Sequence, residues 1–149
     1  MKNEIEPRIR CLVDALNETG LLQTFSSCQG HFGEEHDPDD LTDRTKAEVR
    51  ADLRRSVLEP DVEDLVLHVL SDHMDGGRKW EATLTIWKQY VADPREAGAV
   101  QPLESFFVFD LRPFDPGVSD EEKRRVVDKL IAETTASVRQ HTLGRQKKS

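Results

Sequence analysis

The predicted fold depends on whether a strand or a helix is formed by the nine residues Lys46-Ala47-Glu48-Val49-Arg50-Ala51-Asp52-Leu53-Arg54. From Ala47 onward, small or apolar residues alternate with charged ones, which is the period of a half-buried strand. Val49 and Leu53 also satisfy a helical spacing, and alanine, glutamate and arginine favour helices. The alternation covers all eight positions from Ala47 to Arg54, so a strand is the favoured interpretation and a helix the alternative.

A helix followed by a strand is predicted on the N-terminal side of this stretch. Apolar residues recur with a helical period between residues 5 and 18, and Gly20 supplies a C-terminal stop. The following strand covers about Leu21 to Ser26. Its alternation places Leu22, Thr24 and Ser26 on one face of the sheet.

A helix, two strands and a final helix are predicted downstream. The helix opens near Pro60, a residue favoured in the first turn, and ends by Met74 before two glycines. Alternation predicts a strand over residues 79–90, and an apolar run predicts a more deeply buried one over residues 104–111, paired with it as a long-looped hairpin. Ser119 and Glu122 form a capping box that begins the last helix.

The resulting order is α-β-β-α-β-β-α, which indicates a single α+β domain over residues 1–143 with a flexible basic tail at residues 144–149. We expect a mainly antiparallel four-stranded sheet with the three helices on one face, because each amphipathic element must bury its apolar side.

Composition limits the classes of function. The chain has 149 residues and a formal net charge of −8, from 29 acidic and 21 basic side chains. This balance argues against nucleic acid as a partner, because phosphate binding needs a basic surface. No apolar run approaches the roughly 20 residues of a membrane helix, and no secretory signal is present. We therefore expect a cytoplasmic protein whose 2 cysteines are reduced.

The loop after the first strand is the candidate functional site. Two hydroxyls, from Ser26 and Ser27, precede the thiol of Cys28, and Gly30 and His31 follow. Glycine lets backbone N–H groups converge on a ligand, while histidine donates or titrates near neutral pH. The favoured prediction is a pocket for a small polar or nucleotide-like ligand, with Ser26, Ser27 and Gly30 as binding residues.

This loop resembles a motif of the tRNA wybutosine-synthesis methyltransferase family. A helix leads there into a strand that ends in Ser-Ser-Cys-Ser-Gly-Arg. Ser26 or Ser27, Cys28 and Gly30 match its serine, cysteine and glycine, with His31 in place of the arginine. The same pattern is similar to small bacterial domains that carry Ser-Cys-x-Gly-His. The resemblance covers about residues 5–31 and implies S-adenosylmethionine as a cofactor.

Enzymatic alternatives use the same residues. Cys28, His31 and His36 offer a thiolate and two imidazoles, which suits zinc, and Asp37 or Asp39 could supply a fourth ligand. Such a site would support metal-assisted or transferase chemistry. Alternatively, Cys28 acts as a nucleophile with His31 as its base.

Two alternatives need no catalysis. In the first alternative, the loop is purely structural, and Cys28 packs as a small apolar residue. In the second alternative, the protein is an interaction module or a homo-oligomer. It would assemble through a sheet edge or through the outer face of the first helix, where Cys11 is predicted to be exposed.

Overall fold

The computed structural model describes residues 5–32, 45–76, 80–91 and 104–148. The predicted order of elements and the α+β class are confirmed. The elements are α1 (Arg10–Glu18), β1 (Leu22–Cys28), β2 (Ala47–Leu53), α2 (Glu59–Asp75), β3 (Ala82–Val91), β4 (Glu104–Pro113) and α3 (Asp120–Lys148).

The four strands form one antiparallel sheet in the order β1-β2-β4-β3. The ambiguous stretch is the strand β2, as the alternation predicts. Ala47, Val49 and Ala51 are fully buried, and the helix alternative is wrong. The predicted hairpin is also confirmed, since β3 pairs with β4 over ten residues from Ala82↔Pro113 to Val91↔Glu104.

The helices pack on one face of the sheet. Residues paired across antiparallel strands point to the same side, so Phe109 shares a face with its partners Val49 and Ile86. Phe109 and Val49 belong to the main core together with apolar residues of all three helices. Val108 points to the opposite face and is fully buried there, yet it lies outside that core.

A β-bulge corrects one prediction about β1. Thr24 pairs with Ala51, but Ser26 pairs with the next residue along β2, Arg50, because the register shifts at Phe25. An extra residue in one strand reverses the facing of all that follow. Ser26 therefore does not share a face with Leu22 and Thr24 and is exposed.

Several element boundaries differ from the prediction. α1 begins at Arg10 rather than near residue 5. Pro7 disfavours helical geometry at Glu6, and residues 7–9 form a turn in which the Ile9 N–H donates to the Glu6 carbonyl oxygen at 3.3 Å. Trp80 lies in a turn before β3, is 68% exposed and contacts Phe114 edge-on. α2 ends at Asp75, one residue beyond Met74.

The long helix α3 begins as predicted but continues further. The Ser119 hydroxyl accepts a hydrogen bond from the Glu122 backbone N–H at 3.1 Å. The other half of the predicted capping box is replaced, because the Glu122 carboxylate accepts hydrogen bonds from Arg125. Residues 144–148, predicted as part of a tail, are helical. None of the described helices has the length and apolar character needed to cross a membrane.

Candidate metal centre

Cys28 is the last residue of β1 and is half-buried beside β2, where its Cα partner is Glu48. The strand ends because Gly30 has a φ of +93°, a left-handed conformation that a side chain would strain. The turn brings the chain back so that His31 lies beside the end of the strand that carries the thiol.

The turn is packed on its inner side. A Cβ atom at Gly30 would lie 2.7 Å from the Phe32 ring and 3.0 Å from the Lys46 carbonyl oxygen. Phe32 is only 4% exposed, so its ring fills the space that the glycine leaves. The glycine therefore serves packing against Phe32 and Lys46 at this position.

The segment before α1, residues 6–8, holds the turn at Gln29 and Gly30 by hydrogen bonds, which we call the Arg8 clasp. The Arg8 guanidinium donates to the carbonyl oxygens of Gln29 at 3.3 Å and Gly30 at 3.0 Å, and to Asp128 of α3 at 3.0 Å. It also lies 5.5 Å from the centroid of the Phe32 ring. One side chain thus fixes the turn to the N-terminal segment and to the last helix.

Glu6 completes this clasp and reaches the candidate site. Its carboxylate accepts a hydrogen bond from the Gln29 backbone N–H at 2.9 Å, and the Gln29 side-chain oxygen accepts one from the Arg8 backbone N–H at 2.7 Å. These reciprocal bonds hold residues 6–8 alongside residues 28–30. One ligand atom each of Glu6, Cys28 and His31 lie within 4.8 Å of one another.

This donor set suits a transition-metal ion. A tetrahedral zinc ion accepts thiolate, imidazole and carboxylate together, and its ligand atoms lie about 3.4 to 3.7 Å apart. The three donors need to close by roughly 1 Å, which ordinary side-chain rotation supplies. The bond from Gln29 N–H orients the Glu6 carboxylate, as outer hydrogen bonds do for metal ligands.

Charged side chains cluster around Glu48, the partner of Cys28 on β2. Glu48 contacts Arg50 at 2.8 Å and Lys46 at 3.6 Å. Beyond it on β4, the carboxylate of Asp110 is almost fully buried and accepts hydrogen bonds from Lys46 at 3.2 Å and from the Arg112 guanidinium at 2.6 and 2.8 Å. The charges beside the site are therefore largely paired with one another.

The structure brings together two of the predicted site residues, Cys28 and His31. His36 lies outside the described residues, as do Asp37 and Asp39. Glu6 was missed, although the sequence contained a signal for it. The Glu6-Pro7 step predicts extended backbone before the helix, which frees the glutamate from the helix surface.

The remaining predicted residues do not all lie in a loop, because β1 continues to Cys28: Ser26 and Ser27 are strand residues, and Gly30 lies in the turn that follows. Ser26 is exposed, Ser27 is half-buried and Gly30 is buried. Their role in binding a polar ligand, and that of Cys28 and His31 as a catalytic pair, remain predictions. Cys28 is not buried in the core, because the residue is partly exposed at the edge of the sheet.

A second polar cluster joins α2 to α3. The rings of His68 and His141 lie 5.2 Å apart, and His141 Nε2 lies 2.9 Å from the Asp64 carboxylate. His68 Nε2 lies 3.4 Å from Asp72 without hydrogen-bond geometry. Within the described ranges, Glu6, Cys28 and His31 are the group of three donors close enough to share a metal ion. They are therefore the stronger candidate for a metal site.

Comparison with known proteins does not identify a relative. No family model matches the chain, and neither a curated protein nor a solved structure matches it significantly. The resemblance of the Cys28 loop to the wybutosine-synthesis methyltransferases therefore remains a prediction.

Proposed function

We propose that this protein binds a divalent transition-metal ion, preferentially zinc, through Glu6, Cys28 and His31. The observation that supports this proposal is the proximity of three different donor atoms, from two separate chain segments, within 4.8 Å. A thiolate with an imidazole favours zinc over magnesium or calcium, which prefer oxygen ligands alone.

Three protein ligands leave the fourth tetrahedral position for another group. A water molecule there would become acidic and nucleophilic, and a polar ligand could replace it. Ser26 lies two residues before Cys28 and is exposed. The small polar ligand predicted from the sequence would then bind as the fourth ligand, with the Ser26 hydroxyl beside it, because Ser26 and Cys28 share a face of β1 while Ser27 faces the core with Val49.

Metal binding is tested on the reduced, chelator-treated protein. We expect calorimetric titration with zinc to give one equivalent bound, and cobalt to give a thiolate charge-transfer absorption. Cys28→Ser, His31→Ala and Glu6→Gln should each weaken zinc binding by about tenfold or more, because each removes a ligand.

Matched controls separate this centre from other donors. Cys11→Ser removes the other thiol, which is exposed on α1 and lies 3.5 Å from the Thr135 hydroxyl. His141→Ala removes an imidazole of the second cluster. Both variants should bind zinc like the parent protein. The proposal fails if the parent binds no zinc, or if Cys28→Ser binds it as tightly and keeps the cobalt spectrum.

A further inference from the structure

The strand β3 forms one end of the sheet, and its outer edge carries backbone groups that no described strand pairs. The Phe114 N–H donates to the Glu81 carbonyl at 2.9 Å, one step beyond the pair Ala82↔Pro113. Hydrogen-bonded and non-bonded pairs alternate along an antiparallel ladder. With an unbroken register, the N–H and C=O groups of Leu84, Ile86 and Lys88 therefore point away from β4.

Apart from Ala82, whose carbonyl oxygen lies 3.1 Å from His73 Nε2 of α2, the described part of this edge lacks the features that usually block strand addition. Natural edges are protected by prolines, bulges, short length or inward-pointing charges. β3 is ten residues long, contains no proline and pairs with β4 without a bulge. Its one lysine, Lys88, is engaged by Glu59. The opposite edge strand, β1, does carry a bulge, at Phe25.

An apolar groove runs beside the open edge, between β3 and α2. Its lining includes Val66, Leu67, Ile86 and Phe107. Leu67 is 65% exposed, and Trp87, on the other face of the strand, is 37% exposed. Side chains of an added strand alternate between the two faces. Such a strand would cover Leu67 and Ile86 on one side and Trp87 on the other.

The charge at this groove is acidic. Glu63 lines it, and Glu59 lies at Lys88, whose pKa is raised chiefly by its hydrogen bond with that carboxylate. Because Lys88 pairs with Glu59, Glu63 makes the described lining of the groove acidic. A second copy of this chain, with its net charge of −8, would bring the same acidic groups together across a two-fold axis. A basic segment would complement them.

We propose that the edge of β3 and its groove bind an extended segment of another polypeptide, with alternating apolar and basic residues, by strand addition. Main-chain hydrogen bonds to Leu84, Ile86 and Lys88 supply affinity, and the apolar groove and Glu63 supply selectivity. This interaction surface is independent of the metal centre, which lies at the opposite, β1 edge of the sheet.

The test uses two synthetic nine-residue peptides, one alternating valine with lysine and one alternating valine with glutamate. The Trp80→Phe protein leaves Trp87 as its one tryptophan and thus as a fluorescence reporter of the edge. We expect the basic peptide to saturate the Trp87 signal and to bind about threefold or more tightly than the acidic one, because Glu63 attracts lysine and repels glutamate at an exposed site. Glu63→Lys should reduce or reverse that preference.

Two further variants test the backbone and the groove. Ile86→Pro removes an outward N–H and should abolish binding, and Leu67→Lys places a charge in the groove and should do the same while circular dichroism shows an intact fold. Leu143→Lys alters another exposed leucine, on α3, and should bind normally. The proposal is overturned if neither peptide binds, if both bind equally, or if Leu67→Lys still binds the basic peptide. A parent dimer that Leu67→Lys dissociates would identify a second copy as the occupant and would also overturn it.

Discussion

Gly30 is the residue on which the geometry of the candidate metal centre most depends. Its φ of +93° and the 2.7 Å approach of a Cβ to the Phe32 ring leave no room for a side chain. Both neighbours resist movement, since Phe32 is buried and Lys46 contributes a backbone oxygen. We expect Gly30→Ala to lower the free energy of unfolding by about 3 kcal/mol in urea denaturation.

Gly20 offers a matched control for that substitution. It also has a positive φ, of 74°, but a Cβ there would meet no atom within 4 Å. Gly20→Ala should therefore cost only the backbone strain, about 1 kcal/mol. Equal losses in the two variants would show that the Phe32 contact does not constrain the turn, and that the site is less rigid than its packing indicates.

The limits of prediction at this scale are clear from Glu6 and His31. Local sequence placed His31 near Cys28, because only two residues separate them and a glycine bends the chain. Glu6 is separated from Cys28 by a helix and a strand, and its position depends on long-range bonds to Gln29 and on the Arg8 clasp. Periodicity describes local structure and contains no information about such pairings.

At the scale of the element, the start of α3 contains a titratable pair. The hydrogen bond from Arg125 lowers the pKa of the Glu122 carboxyl below its ordinary value. The ionised form is therefore favoured by folding. The stabilisation from this pair is present above the unfolded pKa of Glu122 and is lost as the pH falls through its lower folded pKa.

Removing Arg125 tests the direction of the Glu122 pKa shift. In Arg125→Ala, the Glu122 carboxyl should titrate at a higher pH than in the parent protein, as followed by the NMR chemical shift of its side-chain carbon. The neighbouring Arg124 lies near Asp128, at 3.8 Å, instead, so Arg124→Ala should leave the Glu122 titration unchanged. An identical midpoint in the parent and in Arg125→Ala would contradict the assignment.

The elements themselves were the most predictable feature of the fold. β2 follows its alternation because Val49 and Ala51 pack into the core while Arg50 and Asp52 point the other way. The bulge at Phe25 was not predicted, because nothing in the local pattern marks it. Phe25 contacts Phe106 edge-on at 5.2 Å, so the bulge accompanies a tertiary contact with a strand more than eighty residues away.

At the scale of the whole molecule, α3 connects the other helices to the sheet. The Asp128 carboxylate accepts a hydrogen bond from the Arg8 guanidinium. Further along α3, the Ser137 hydroxyl donates to Asp72 of α2 at 2.6 Å, and His141 contacts Asp64 of α2. Val138 of α3 is fully buried in the core that all three helices share with the sheet. Because these contacts join one core, the elements should unfold together.

Shortening α3 tests that expectation. Deleting residues 144–149 should change the free energy of unfolding by no more than about 0.5 kcal/mol, because Gly144 to Lys147 are exposed. Deleting residues 137–149 also removes Val138 and the bonds to Asp72 and Asp64, and should cost at least about 3 kcal/mol. In both proteins, far-ultraviolet circular dichroism and tryptophan fluorescence should report the same urea midpoint. Separate midpoints would mean that α2 and α3 unfold apart from the sheet, and that the molecule has two cooperative units rather than one.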